Sequence, residues 1–160
     1  MPRLFVAVWP PEGVVCELAA LPRPKTPGVR WTRPQRMHIT LRFLGECDQS
    51  EALEALELVS LPAGGVTLGP AVEQLGHGVF MVPAAGIDEL AAAVTDATKF
   101  IGEPPPDRPF VGHLTVARFK RSQPSFDWPH LDEKFDVTEF FLVEATPWGE
   151  YVNVASFPLS

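Results

Sequence analysis

Cysteine is nearly absent: Cys16 and Cys47 are the only two in 160 residues. That is too few for a disulfide framework, and their separation lacks zinc-site spacing. Two reduced, partly buried thiols are the expectation. No apolar run is long enough to cross a membrane. The opening stretch, Met1-Pro-Arg-Leu-Phe-Val-Ala-Val-Trp-Pro, has no small-residue cleavage site and reads as a first strand rather than a signal peptide. A cytoplasmic chain without membrane association is therefore expected. Positive charge is also in short supply, with 13 Lys and Arg against 20 Asp and Glu, a net charge of −7. That balance argues against a general nucleic-acid coat protein, because neutralising many phosphates needs cations. Histidine is rare, at four residues. No carboxylate or third ligand stands near the histidines at a metal-site spacing, so neither a metal nor a cofactor is expected.

What is present is globular. A hydrophobic share of 46% against 21% charged supports a substantial core in one domain spanning residues 1–160. Leu4 to Val8 reads as a strand, and Pro10-Pro11-Glu12 opens a helix through about Ala20. The proline-rich segment 21–28 reads as an extended loop. His38 to Leu44 is a strand. Asp48 and Ser50 can cap a helix over 51–59 with Leu53, Leu56 and Leu58 as its apolar stripe. Val66 to Leu75 and Val79 to Val82 form strands around the Gly76-His77-Gly78 turn. Apolar residues at helical spacing predict a helix over 87–101, stopped by Gly102 and Pro104 to Pro106. His113 to Phe119 is a strand, Ser122 to Pro129 a loop, Phe135 to Ala145 a strand and Tyr151 to Phe157 the last one. Helices, hairpins and crossovers together give an α+β class.

One internal echo stands out. Arg33-Pro34-Gln35-Arg36-Met37-His38-Ile39-Thr40-Leu41 is matched by Arg108-Pro109-Phe110-Val111-Gly112-His113-Leu114-Thr115-Val116. Both read Arg-Pro, three residues, then His-apolar-Thr-apolar, and the spacing suits two similar halves. Eight of the thirteen basic residues cluster near these motifs: Arg30, Arg33, Arg36 and Arg42 in one window, Arg108, Arg118, Lys120 and Arg121 in the other. A local positive field in an acidic envelope fits a pocket for one or two phosphates.

In a strand, residues two apart point the same way. Each motif thus presents an imidazole and a hydroxyl on one face, with Ile39, Leu41, Leu114 and Val116 turned into a core. Two such strands facing one groove suit displacement at phosphorus. One histidine deprotonates water and the other protonates the leaving oxygen. Threonine hydroxyls and a guanidinium match charge on the nonbridging oxygens. Arg118, near the end of the second motif strand, is the candidate guanidinium. His77 and His130 have no such context and are expected on the surface.

His38-Ile39-Thr40-Leu41 with His113-Leu114-Thr115-Val116 resembles the paired motif of the 2H phosphoesterase superfamily, and within it the RNA 2′,3′-cyclic phosphodiesterase family, also called 2′-5′ RNA ligase or LigT-like. The likeness runs nearly end to end, through Arg3 to Val8, Arg30-Trp31-Thr32, Thr40 to Glu46, His113 to Arg118 and Tyr151 to Leu159. It implies two pseudo-symmetric, intertwined lobes, each an antiparallel sheet with outer helices, around a central cleft. It implies an enzyme that hydrolyses the 2′,3′-cyclic phosphate at RNA ends, or on small nucleotides, to a 2′-phosphate. In that scheme His38 is the general acid and His113 the general base. Thr40, Thr115 and Arg118 hold the phosphate, and Phe43 stacks on the terminal base. Gly112 stands where the family usually has proline, a departure expected to loosen the start of the second motif. The stretch Leu142 to Pro147 lacks the family's usual serine-containing pattern.

The same groove can run in reverse and join RNA ends through a 2′-5′ linkage. Another cyclic or 2′-5′-linked nucleotide as substrate, or a noncatalytic RNA-end or nucleotide-binding module, are the alternatives. A monomer without an obligatory protein partner is expected.

Overall fold

A computed structural model describes residues 1–120 and 124–160. Arg121 of the second basic window, and the first two residues of the loop read over 122–129, lie outside the described residues.

Ten strands and three helices make up the described chain. In order they are β1 (Arg3–Val8), α1 (Glu12–Ala19), β2 (Val29–Trp31), a 3₁₀ turn (Pro34–Arg36), β3 (Ile39–Glu46), α2 (Gln49–Leu56), β4 (Gly64–Leu68), β5 (Glu73–Leu75), β6 (Val79–Ala85), α3 (Asp88–Ala97), β7 (His113–Phe119), β8 (Glu133–Val137), β9 (Glu139–Ala145) and β10 (Tyr151–Pro158). All the pairings are antiparallel, in the order β10-β9-β1-β3-β7-β6-β4-β8, with β2 added to β7 and β5 to β6. This is the α+β class the sequence predicts.

The order reads the same outward from its centre. Each of the two middle strands, β3 and β7, pairs with a strand that precedes it across a helix: β1 before α1, and β6 before α3. The two halves of the sheet join through one residue pairing between β3 and β7, Ile39 with Leu114.

The sheet's two faces differ in chemistry. Leu4, Val6, Ile39, Leu41, Leu114 and Val116 join one large core with the helices, which contribute Val14, Leu18, Ala52, Leu56, Leu90 and Val94. The opposite face carries a small second cluster, Phe5, Ala7 and Val143, with Trp9, Phe141 and Tyr151 against it. Burying a large aliphatic side chain contributes roughly 1.5–3 kcal/mol, so the helix-covered face carries most of the stability. The other face remains free for chemistry.

Four local expectations need correction. The apolar run 135–145 is two strands: β8 pairs with β4 in one half and β9 with β1 in the other, with Thr138 between them. The run 66–75 is also two strands, β4 and β5, parted by the cis Gly69-Pro70 bond. Helix α2, capped by Asp48 accepting from the Glu51 amide, ends at Leu56; Leu58 is therefore 81% exposed rather than part of the apolar stripe. Helix α3 stops at Ala97, four residues early, for a reason that lies in β3.

That reason is Arg42. It is buried on the helix-covered face, and its guanidinium donates to the carbonyls of Thr98, Ile101 and Glu103 at 3.3, 3.1 and 2.7 Å, and to the Phe43 carbonyl at 2.9 Å. Its Nε also reaches the Thr98 hydroxyl at 3.3 Å. Carbonyls past a helix C-terminus need partners, and here one cation supplies them, also opposing the helix dipole. Gly102 turns immediately beyond with φ of 66°, where a Cβ would collide with the Leu44 carbonyl oxygen.

Candidate active site

The two motif strands meet at their histidine ends. Ile39 opposite Leu114 fixes an antiparallel register in which paired numbers sum to 153. One residue along in each direction, that register sets His38 across from Thr115 and Thr40 across from His113. Ile39 and Leu114 are fully buried on the core face. Their four neighbours lie on the other face, all half-buried, because alternate residues of a strand face opposite ways.

Both imidazoles are oriented by the same device. The His38 Nδ1 lies 2.7 Å from the Arg36 carbonyl oxygen, and the His113 Nδ1 lies 2.7 Å from the Val111 carbonyl oxygen. A carbonyl can only accept, so each Nδ1 carries its proton and donates. The neutral ring then has its lone pair on Nε2, and the protonated ring has a donor there. The His38 Nε2 is 2.9 Å from the Thr40 hydroxyl, the partner two residues along the strand.

Strict alternation would have turned residues 43 and 118 away from this face, since each lies five positions after its histidine. They face it because both strands bulge at the same place. In β3 the register passes from Ala7–Thr40 to Val6–Arg42, and in β7 from Met81–Thr115 to Phe80–Ala117. Leu41 and Val116, each three residues after its histidine, are the extra residues. A bulge inserts one residue and re-aims the side chains beyond it. Phe43, opposite Phe5, and Arg118, opposite Val79, return to the site face. Phe43 is 44% exposed, and Arg118 is also exposed. The phenylalanine is thus not a core residue.

The surroundings of the two histidines differ. The His38 ring packs on Phe5, Trp9 and Tyr151, with centroids 5.0, 5.6 and 5.4 Å away. The Arg36 guanidinium lies 4.2 Å over the Tyr151 ring, and the Trp9 indole N–H donates to the Asn153 side chain at 2.8 Å. Burial in this aromatic nest pushes the His38 pKa below its ordinary value of 6.5, and the positive charges of Arg36, His113 and Arg118 push the same way. The hydrogen bond to the Arg36 carbonyl opposes them.

Sequence reasoning missed the floor of the site. Phe5 and Trp9 come from β1 and its end and Tyr151 from β10, and only the pairing of β1 with β3 and β9, and of β9 with β10, brings them under His38. The Arg36 and Val111 carbonyls leave no side-chain signal at all. Of the basic windows, Arg42 serves the helix-covered face instead of the groove. His77 and His130 are exposed, as expected. Cys47 is buried, and burial raises its thiol pKa; Cys16 is exposed, contrary to expectation. Gly112 does not loosen its strand. It is buried, its carbonyl accepts from the Ala84 amide at 2.9 Å, and a Cβ would collide with the Ala84 carbonyl oxygen and sit 2.7 Å from Ile87. A hollow of about 400 Å³ beside Phe80, Phe126 and Trp128, and another of about 350 Å³ beside Leu53 and Phe157, contain none of the motif residues.

An antiparallel α+β sheet that joins two His-x-Thr strands edge to edge defines the class: a two-histidine phosphoesterase fold. Residues 8–68 match the family described as LigT like phosphoesterase. The RNA 2′,3′-cyclic phosphodiesterase of Aquifex aeolicus (strain VF5) is 28% identical, covering 69% of this chain and 65% of that protein. The enzyme of the same name from Geobacillus stearothermophilus is 30% identical, covering 81% of this chain and 47% of its own length. The chain thus spans about two thirds and about half of these relatives. The crystal structure of TT0787 of Thermus thermophilus superposes with a TM-score of 0.79 at 29% identity, covering 98% of this chain and 97% of that one. Residues 8–68 thus resemble the LigT-like phosphoesterases, and nearly the whole chain shares the fold of TT0787. Among the described residues, no helix is long and apolar enough to cross a membrane.

Proposed function

We propose that this chain is an RNA 2′,3′-cyclic phosphodiesterase: a single domain that opens the cyclic phosphate at RNA ends, or on small nucleotides, to a 2′-phosphate. The observation that carries the reading is the matched pair of imidazoles. Each is pinned through Nδ1 to a carbonyl two residues upstream, at 2.7 Å in both cases, on strands joined at Ile39 and Leu114. The names of the two curated relatives point to the same reaction.

In the proposed step His113 Nε2 takes a proton from water as its oxygen bonds to phosphorus. The bond from phosphorus to the 3′ oxygen breaks, and His38 Nε2 delivers a proton to that oxygen. Thr40, Thr115 and Arg118 hold the nonbridging oxygens, where positioned donors oppose developing charge. Phe43 offers its exposed ring to the terminal base. No metal or cofactor is assigned a step.

His38 needs its proton for this role, and the free site works against it through burial and neighbouring cations. A cyclic phosphate monoanion between the motifs reverses the balance, because an opposite charge at close range favours the imidazolium. Substrate binding therefore loads the acid. With a 5′-hydroxyl in place of water as the nucleophile, the same displacement joins ends through a 2′-5′ linkage; in water, hydrolysis dominates. The protein is proposed to act in the cytoplasm as a monomer.

The test is incubation with an RNA ending in a 2′,3′-cyclic phosphate, in excess chelator, identifying the product isomer beside His38→Ala and His113→Ala. A 2′-phosphate that disappears in both variants is the expected result. A 3′-phosphate would exchange the two histidine roles. Binding without turnover on any cyclic nucleotide would replace the enzyme reading with a binding module.

A further inference from the structure

A second guanidinium stands beside the one assigned to the phosphate. Strand β2 pairs with β7 so that Arg30 lies directly opposite Arg118. Directly opposed residues of an antiparallel pair share a face, with Cβ atoms roughly 4.5–5.5 Å apart, and like charges there are destabilising. Both arginines are exposed. Among the described residues, neither side chain has an ion-pair or hydrogen-bond partner.

The backbone holds this unfavourable pair firmly. Val29 and Trp31 pair with Phe119 and Ala117 on either side of Arg30. The Thr32 amide donates to the Val116 carbonyl at 2.9 Å, the Lys120 amide to the Gly28 carbonyl at 3.2 Å, and the Trp31 indole to the Pro24 carbonyl at 3.1 Å. Two facing cations clamped at one edge of a chain with net charge −7 form a receptor for an anion. The geometry also separates this anion from the first. β7 shares one edge between β3, at Leu114, and β2, at Ala117 to Phe119. The histidines stand at the first junction, and Arg30 with Arg118 at the second.

We propose that Arg30, with Arg118, forms a second anion subsite that takes the phosphodiester on the 5′ side of the terminal nucleotide. The site then prefers an oligonucleotide end to a mononucleotide. This rests on the reading above that the motif groove takes the terminal cyclic phosphate.

The experiment compares the wild type with Arg30→Gln and Arg30→Lys on a dinucleotide ending in a 2′,3′-cyclic phosphate and on a nucleoside 2′,3′-cyclic phosphate. Arg30→Gln is expected to raise the dinucleotide KM about tenfold more than the mononucleotide KM. It should also make the log–log salt dependence for the dinucleotide shallower by about one, the signature of a lost phosphate contact. Arg30→Lys should recover most of both effects. Without ligand, Arg30→Gln should melt no lower than the wild type, since it relieves a repulsion. Equal losses on the two substrates, no loss on either, or a lowered melting temperature would overturn the proposal. Should the wild type turn over neither substrate, the proposed activity fails instead. The subsite is then read from equilibrium binding of dinucleotide and mononucleotide 2′-phosphates, with the same tenfold difference deciding it.

Discussion

Strands β3 and β7 follow one local plan: a histidine tied to a carbonyl two residues behind it, a threonine two residues ahead, and a bulge at the third position. They part company immediately after. The fourth position is Arg42 in one and Ala117 in the other; the fifth is Phe43 against Arg118. His38 sits in an aromatic nest beside Arg36, Arg118 and the second imidazole. The β7 side instead borders a cationic edge, where Arg30 faces Arg118. In the proposed reaction the duplicated part of the plan sets up proton transfer, which needs one group on each side of the phosphorus. The divergent part is proposed to supply what cannot be symmetric in a nucleotide, a base contact on one side and a phosphate contact on the other.

The largest effect that can break this comparison comes from the shared positions. His38→Ala and His113→Ala should each lower kcat/KM by about 10²–10⁴-fold. The double variant should lose little more than the worse single one, because the two act as a unit. Additive losses in rate assays would show that they work separately.

The fourth positions should part company in stability, not activity. Arg42→Met strands several buried carbonyls and should cost about 3–5 kcal/mol of unfolding free energy in urea titrations. A loss below about 1 kcal/mol would mean that water takes over those bonds and that α3 does not depend on β3.

The fifth positions should split kinetically. Arg118→Ala should lower kcat/KM by about 10²-fold, as for loss of one oxyanion donor, mainly through kcat. Phe43→Ala should raise KM by about tenfold, within the range for base stacking, with kcat nearly kept. If the two variants show the same split between kcat and KM, the division into a base side and a phosphate side is wrong.

The smallest effect concerns protons. The folded pKa of His38 lies below its ordinary value of 6.5. Between those two values the unfolded chain binds more protons than the folded one, so stability rises with pH through that window. The contribution is fully present above 6.5 and is lost as pH falls toward the folded pKa. His38→Gln should flatten this part of a melting-temperature profile. Inorganic phosphate should flatten it in the wild type, by restoring the imidazolium. An unchanged slope in both cases would remove His38 as its source.

Much of this site was legible in the amino-acid order because the relevant rule is local. Two residues apart on a strand means one face, so His38 with Thr40 and His113 with Thr115 could be grouped with no knowledge of the partner strands. Phe43 and Arg118 could not be placed that way. An odd spacing of five points them into the core; Arg118 was a candidate only for its charge near the strand's end, and Phe43 gained a role only through the resemblance to a known family. Arg42 misled because its charge suggested a phosphate and its burial could not be seen. The run 135–145 misled because β-rich residues continue across Thr138 while their hydrogen-bond partners change.

The sequence by itself determined the two motifs, the α+β class, and the side of each strand that histidine and threonine would share, since propensity and side-chain alternation act between near neighbours. Tertiary structure alone decided the bulges at Leu41 and Val116, the register that sets each histidine across from the other motif's threonine, the aromatic nest under His38, and the facing of Arg30 and Arg118. Each of these depends on which strand lies alongside, and backbone pairing between distant segments leaves no mark on the order of residues within either one.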